Sequence, residues 1–133
     1  ERPVVIHRAI SGSLERFMGV MIEHFAGAFP TWLSPVQIRV VPIGERQTEF
    51  ADAVYKALKQ SDVRVELDAS NDSLGKRIRN AKTDKVPYVI VLGDKEVESK
   101  MLTVEKRDGS KIENISVEDF TQNILEEIKD RAL

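Results

Sequence analysis

The order of hydrophobic patterns along the chain constrains the fold more than any single residue does. Two stretches, residues 36–43 and 86–92, are almost continuously apolar and rich in β-branched side chains: Val36, Ile38, Val40, Val41 and Ile43 in the first, Val86, Val89, Ile90, Val91 and Leu92 in the second. Runs of this length and composition suit strands buried on both faces. Between them, Phe50, Val54, Ala57 and Leu58 keep helical spacing, Val63, Val65 and Leu67 alternate, and Leu74, Ile78 and Ala81 return to helical spacing. The order strand, helix, strand, helix, strand builds a parallel sheet through right-handed crossovers. Downstream, Leu102 and Val104 lead into Arg107, Asp108, Gly109 and Ser110, and Ile112 and Ile115 follow. The Asp-Gly pair predicts a hairpin. Ser116 and Asp119 then open a helix whose stripe is Val117, Phe120, Ile124, Leu125 and Ile128.

Upstream of the first buried strand, Leu14, Phe17, Met18, Met21, Ile22 and Phe25 recur at steps of three and four, with Ser11 or Ser13 placed to cap the helix they define. Gly27 ends it, Pro30 and Pro35 prevent its continuation, and residues 27–35 carry the one linker-like composition in the chain. The expected architecture is α/β, a mixed five-stranded sheet with three helices, preceded by a helix that belongs to something else. The chain starts at Glu1 rather than Met, with the strand-like run Val4, Val5 and Ile6 almost at its end, so a cut inside a larger protein is expected.

Composition removes several classes of function. A chain of 133 residues is long enough to bury a core without disulfides or metal, and it has no cysteine for a thiol nucleophile or a zinc module of its own. No apolar run approaches the roughly 20 residues that span a bilayer, so no membrane partner is expected. Lys and Arg total 20 against 22 Asp and Glu, a formal charge of −2, which leaves any nucleic-acid contact to a local cluster. There is no glycine-rich phosphate loop, and His7 and His24 have no metal-ligand spacing, which argues against an autonomous enzyme. The local basic cluster is Lys76, Arg77, Arg79, Lys82 and Lys85. On a helix with stripe Leu74, Ile78 and Ala81, Lys76 and Arg79 lie opposite the stripe and Arg77 and Lys82 flank it. The cluster reads either as a solvated helix face or as a polynucleotide-facing helix, with Asn71 and Asp72 just ahead of it to meet base edges.

Six strings carry a resemblance: Glu1 to Pro3 continuing to His7, Arg8 and Ala9; Gly12 to Phe17; Phe29 to Gln37; Leu74 to Arg79; Val86, Pro87 and Tyr88; and Gly93 to Glu98. In order and over essentially the whole chain, they resemble the C-terminal part of the threonyl-tRNA synthetase family. The resemblance implies that residues 1–29 are the end of a class II catalytic domain, with its third signature motif, and that residues 30–133 are the anticodon-binding domain. The implied activity of the whole enzyme is threonine–tRNA ligation in the cytoplasm, by a homodimer whose interface lies outside this chain. ATP with magnesium and one zinc are the implied cofactors of that enzyme. None is expected in this chain alone, which is expected to be inactive by itself.

The resemblance also assigns roles. Arg16 matches the motif arginine that lies over ATP, and Ser13 a position at the floor of the same site. His7 matches one of the zinc ligands, whose companions would lie upstream. Asn71, Arg79 and Glu96 match positions that contact the anticodon loop of threonine tRNA, while Lys76 and Arg77 are expected at its phosphates. The chemistry is coherent, because Asn offers a paired donor and acceptor, Arg a fork, and a carboxylate an acceptor for the ring N–H and amino group of guanine. The rival reading of Glu96 is an ordinary capped turn after a strand. The pattern departs at Glu105, where an RNA-facing arginine is expected, and Arg107 is the candidate replacement. Trp32 and Tyr88 read as packing residues and His24 as a plain helix histidine; DNA is not an expected partner. The anticodon domain of a prolyl, histidyl or glycyl type synthetase, and an interaction domain that kept the fold without RNA, remain as alternatives.

Overall fold

The computed structural model describes residues 2–132; Glu1 and Leu133, which open the first resembling string and close the expected second domain, lie outside the described residues. Five helices and five strands follow one another: α1 (Leu14–Phe25), β1 (Ile38–Pro42), a 3-10 turn (Glu45–Gln47), α2 (Thr48–Gln60), β2 (Val65–Leu67), α3 (Leu74–Thr83), β3 (Tyr88–Leu92), α4 (Asp94–Ser99), β4 (Leu102–Lys106), β5 (Lys111–Ile115) and α5 (Val117–Asp130). The strands form one sheet in the order β2-β1-β3-β4-β5. β1 pairs in parallel with β2 and β3, with Ile38 opposite Val65 and Tyr88, while β3, β4 and β5 are antiparallel. The mixed sheet and the hairpin are as the patterns predict.

The two faces of the sheet are built differently. On one, Ile38, Val40, Tyr88, Ile90, Leu92, Leu102 and Val104 pack under Ala51, Val54 and Leu58 of α2 and Phe120 and Ile124 of α5. Ala57, placed on the α2 stripe by spacing, is exposed, and Ala51 takes the buried position. On the other face α3 packs on β1 and β3, where Ala81 meets Val41 and Val89. Thr103 and Glu105 of β4 point to this second face, because they alternate with the core residues Leu102 and Val104. There Glu105 is reached by Lys82 of α3, and Thr103 by Glu96 of α4.

Two expectations are corrected. The run Val4, Val5 and Ile6 forms no strand and its side chains are 84–88% exposed, since a β-branched run needs a paired neighbour to become one and none of the described strands lies beside it. The domain has four helices, not three: α4 has only six residues and too few apolar positions to show a period, so its pattern predicts a turn.

Candidate nucleic-acid interface

The three parallel strands end together, at Pro42, Leu67 and Leu92, and the loops that leave them share one edge of the sheet. That carboxyl edge is where open α/β sheets bind ligands. Two of the loops are built alike. The Gly44 N–H donates to Gln47 Oε1 at 3.0 Å, and the Gly93 N–H donates to Glu96 Oε2 at 2.9 Å, so each turn is closed by a side chain three residues on. Gln47 Nε2 reaches across to Asp94 Oδ1 at 2.5 Å and joins them. At Gly93 a Cβ would stand 3.0 Å from Ile43 Cδ1 and 3.1 Å from Glu96 Oε2, a tight fit that would press on both side chains.

Glu96 is held at both oxygens, since Thr103 Oγ1 of β4 donates to Oε1 at 2.8 Å. Burial pushes its carboxyl up, but the bonds from Thr103 and the backbone N–H of Gly93, with the Lys95 charge, outweigh that and hold it below its ordinary value. The capped turn is therefore present. It does not exhaust the group, because a carboxylate has about four acceptor sites and these two bonds use two of them. Glu96 is fixed on the same face of the sheet as α3, beside Thr103 of β4.

On α3, Lys76 and Arg79 are exposed, and Lys76 Nζ pairs with Asp72 Oδ1 at 2.9 Å. Asn71 is exposed in the loop between β2 and α3. A cleft of about 320 Å³ opens beside it, bounded by Ile43, Gly44 and Thr48 on one side and by Asp68, Asn71 and Asp72 on the other.

Arg77 is a correction. It is 5% exposed, its Nη2 donates to the Asp68 carbonyl at 2.8 Å, and its Nε lies 3.4 Å from Asp68 Oδ2 without hydrogen-bond geometry. A buried guanidinium tied to Asp68 supports the loop from beneath and cannot also reach a phosphate. The signal was in the spacing, because Arg77 stands three after Leu74 and four before Ala81, on the helix's buried side. Arg107 is exposed, and its Nη1 donates to the Phe29 carbonyl at 2.8 Å and to that of Lys85 at 3.3 Å, so it also holds the segment before β1. Glu105 pairs with Lys82 Nζ of α3 at 2.7 Å across the second face. The partners Thr103 and Asp68 had no sequence signal, since each acts through a contact made only on folding, whereas Asp72 stands four before Lys76, the spacing of a helical ion pair.

The N-terminal candidates stand apart from this edge. Ser13 caps α1, accepting from the Arg16 N–H at 3.4 Å and donating to Glu15 Oε2 at 2.9 Å. Arg16 and His7 are exposed. Among the described residues no three His, Cys, Asp or Glu side chains gather where a metal ion could be held, and the lone imidazole of His7 does not make a zinc site. Tyr88 is buried as expected and its hydroxyl donates to Glu127 Oε2 at 2.5 Å; burial first, and Glu127 second, push the phenol well above its usual range. No helix among the described residues is long and apolar enough to cross a membrane.

Comparison with known proteins shows the family. Residues 37–127 match the family described as an anticodon binding domain. The threonine–tRNA ligase of Caldanaerobacter subterraneus subsp. tengcongensis is 48% identical over 132 residues, covering 99% of this chain and 20% of that protein. The threonine–tRNA ligase of Thermotoga maritima is likewise 48% identical over 132 residues, covering 99% of this chain and 21% of its own length. Among solved structures, the RNA binding domain of threonyl-tRNA synthetase from Cryptosporidium parvum Iowa II matches with a TM-score of 0.83 at 32% identity, over 90% of this chain and 30% of that one. The chain spans about a fifth of the length of the curated relatives it matches.

Proposed function

Because the chain belongs to the anticodon-binding domain family, in the form found in the C-terminal region of threonine–tRNA ligases, we propose that it reads the anticodon loop of threonine tRNA. The observation that carries this is the grouping of four polar side chains along one edge and face of the sheet: Asn71 before α3, Lys76 and Arg79 on its outer surface, and Glu96 held rigid by Gly93 and Thr103. Single-stranded bases splayed from a loop are read on their edges, and phosphates are met by flexible cations. Asn71 and Glu96 are the base readers in this arrangement; Arg79 takes a base edge or phosphate with its fork, and Lys76 serves a phosphate after leaving Asp72.

In the whole ligase, threonine is activated with ATP and joined to its tRNA. Residues 1–29 close the catalytic domain there and residues 30–133 form the anticodon domain. The support for this division is α1, an amphipathic helix with no buried residue in this chain. Arg16 faces the ATP phosphates from that helix, where a fixed guanidinium offsets the charge that builds as adenylate forms, and Ser13 holds the helix start beneath it. In the whole ligase His7 would be one ligand of a zinc that orients threonine. The ligase works in the cytoplasm as a homodimer through its catalytic region, and the present chain alone performs no ligation.

The test is binding of a labelled anticodon stem–loop of threonine tRNA, and of one with a changed middle anticodon base, by fluorescence anisotropy. Glu96→Gln keeps an oxygen for the Gly93 N–H and removes the charge. It should cost about 1–3 kcal/mol for the cognate loop and little for the changed one, whereas Lys76→Ala should weaken both alike. Lys76→Ala should also flatten the plot of log affinity against log salt by roughly 0.7 to 0.9. Equal affinities of the unsubstituted chain for the two loops would overturn the reading.

A further inference from the structure

The segment between α1 and β1 has the composition of a tether, yet its carbonyls are taken in turn by cations of the folded domain. Lys85 Nζ donates to the Ala26 carbonyl, Arg107 Nη1 to that of Phe29 at 2.8 Å, and Arg64 to those of Trp32 and Ser34 at 2.7 and 2.9 Å. The Thr31 hydroxyl donates to Glu127 of α5, and Gln37 Nε2 to the Thr31 carbonyl at 2.9 Å. A tether that only joins two bodies leaves its carbonyls to water, and hydrogen bonds from charged donors are about twice as strong as neutral ones. The end of α1 is also closed on itself, since the Ala26 and Gly27 N–H groups return to Glu23 and Ile22 with both residues at positive φ, 49° and 77°. A Cβ at Gly27 would lie 3.7 Å from the Lys85 stem.

Lys85 is placed to do more than hold a loop. It follows Asp84, the C-cap of α3, and its own φ of 55° turns its side chain off the helix end toward Ala26. Arg107 bonds the Lys85 carbonyl at 3.3 Å with the same nitrogen that holds Phe29. The start of the tether is thus fastened to the end of α3, the helix that carries Lys76 and Arg79.

We propose that Lys85 and Arg107 are positioning residues that make the tether a rigid strut, so that α1 and α3 keep one relative orientation. The strut stands on geometry alone. Its consequence for the ligase, that RNA gripped along α3 is mechanically connected to the helix bearing Arg16, rests on the function proposed above.

The chain has no cysteine, so two can be introduced without background. Spin labels at Val20→Cys on α1 and Glu118→Cys on α5, both exposed, report the orientation of α1 as a distance distribution by pulsed electron resonance. One narrow population is expected for the doubly labelled chain, and Lys85→Ala with Arg107→Ala should abolish it in favour of a broad one. Lys85→Arg, which keeps a charged donor, should retain it. A broad distribution before substitution, or a narrow one after it, would overturn the strut. If the double substitution destroys cooperative melting, Lys85→Ala alone decides by the same criterion, because it removes the Ala26 contact without touching the core. The labelled chains are then titrated with the anticodon stem–loop. Affinity retained by the substituted chain supports a positioning role, and affinity lost would make Lys85 and Arg107 RNA contacts instead. Failure of the RNA to bind the chain with both clamps intact would overturn the proposed function and leave the strut to be judged by distance.

Discussion

Helices α1 and α5 begin alike and end in opposite circumstances. Each is capped by a serine, Ser13 or Ser116, whose oxygen accepts the N–H three residues on, and each carries acid in its first turn and an apolar stripe at helical spacing. In α5 the stripe is covered: Phe120 and Ile124 are 1% exposed, and Leu125 and Ile128 pack against the same core. In α1 nothing is buried; Leu14, Phe17, Met18 and Ile22 remain 46–64% exposed. Periodicity therefore announces that a face needs a cover and is silent about what supplies it. Among the described residues nothing covers α1.

The largest consequence is energetic. Phe120→Ala should lower the stability of the domain by about 3–5 kcal/mol in urea unfolding, because it empties a packed site between α5 and the sheet. Phe17→Ala should change the same midpoint by less than about 0.5 kcal/mol. Comparable losses would mean that α1 packs on the domain in solution and would break the contrast. Next come the caps. Ser116→Ala should cost about 1 kcal/mol of global stability, whereas Ser13→Ala should leave the urea midpoint in place and reduce only helical circular dichroism.

The smallest effect sharpens the contrast through pH. Glu96 and Glu15 both have carboxyls held below their ordinary value: Glu15 by its own backbone N–H and then by Ser13, Glu96 by Thr103 and Gly93 against the opposing effect of burial. A depressed carboxyl adds stability that is complete above the unfolded value, near about 4.3, and is lost as pH falls through the lower folded value. Glu96 is tied to β4, so Glu96→Gln should flatten the acid limb of the stability curve. Glu15→Gln should leave that limb unchanged, and an equal effect of the two would show α1 to be part of the cooperative unit.

Legibility in the sequence followed the range of the interaction concerned. The strands, the helices of ten residues or more, the hairpin and the Ser116 cap depend on periodicity or on neighbours within a few positions, and all were readable; the cap of α1 was narrowed to Ser11 or Ser13. The short helix α4 was not, because six residues do not establish a period. Of the candidate RNA residues, Lys76 and Arg79 occupy the exposed positions that helical phase assigns them. Arg77 shares its phase with Leu74 and Ala81, but its charge suggested the surface; Asp68, nine residues away, is what lets that charge be buried.

The α/β order, the mixed sheet and the family are written in local pattern and in the identity of residues in line. Tertiary structure alone decided what the charged side chains do. It closed the turn around Glu96 with Thr103, set Glu105 against Lys82, and turned Arg64, Lys85 and Arg107 onto the carbonyls of a segment that reads as a loose tether. The reason is reach: a long side chain on a flexible stem takes the strongest partner that folding brings within hydrogen-bond distance, and for Arg107 and Phe29 that partner lies 78 positions away.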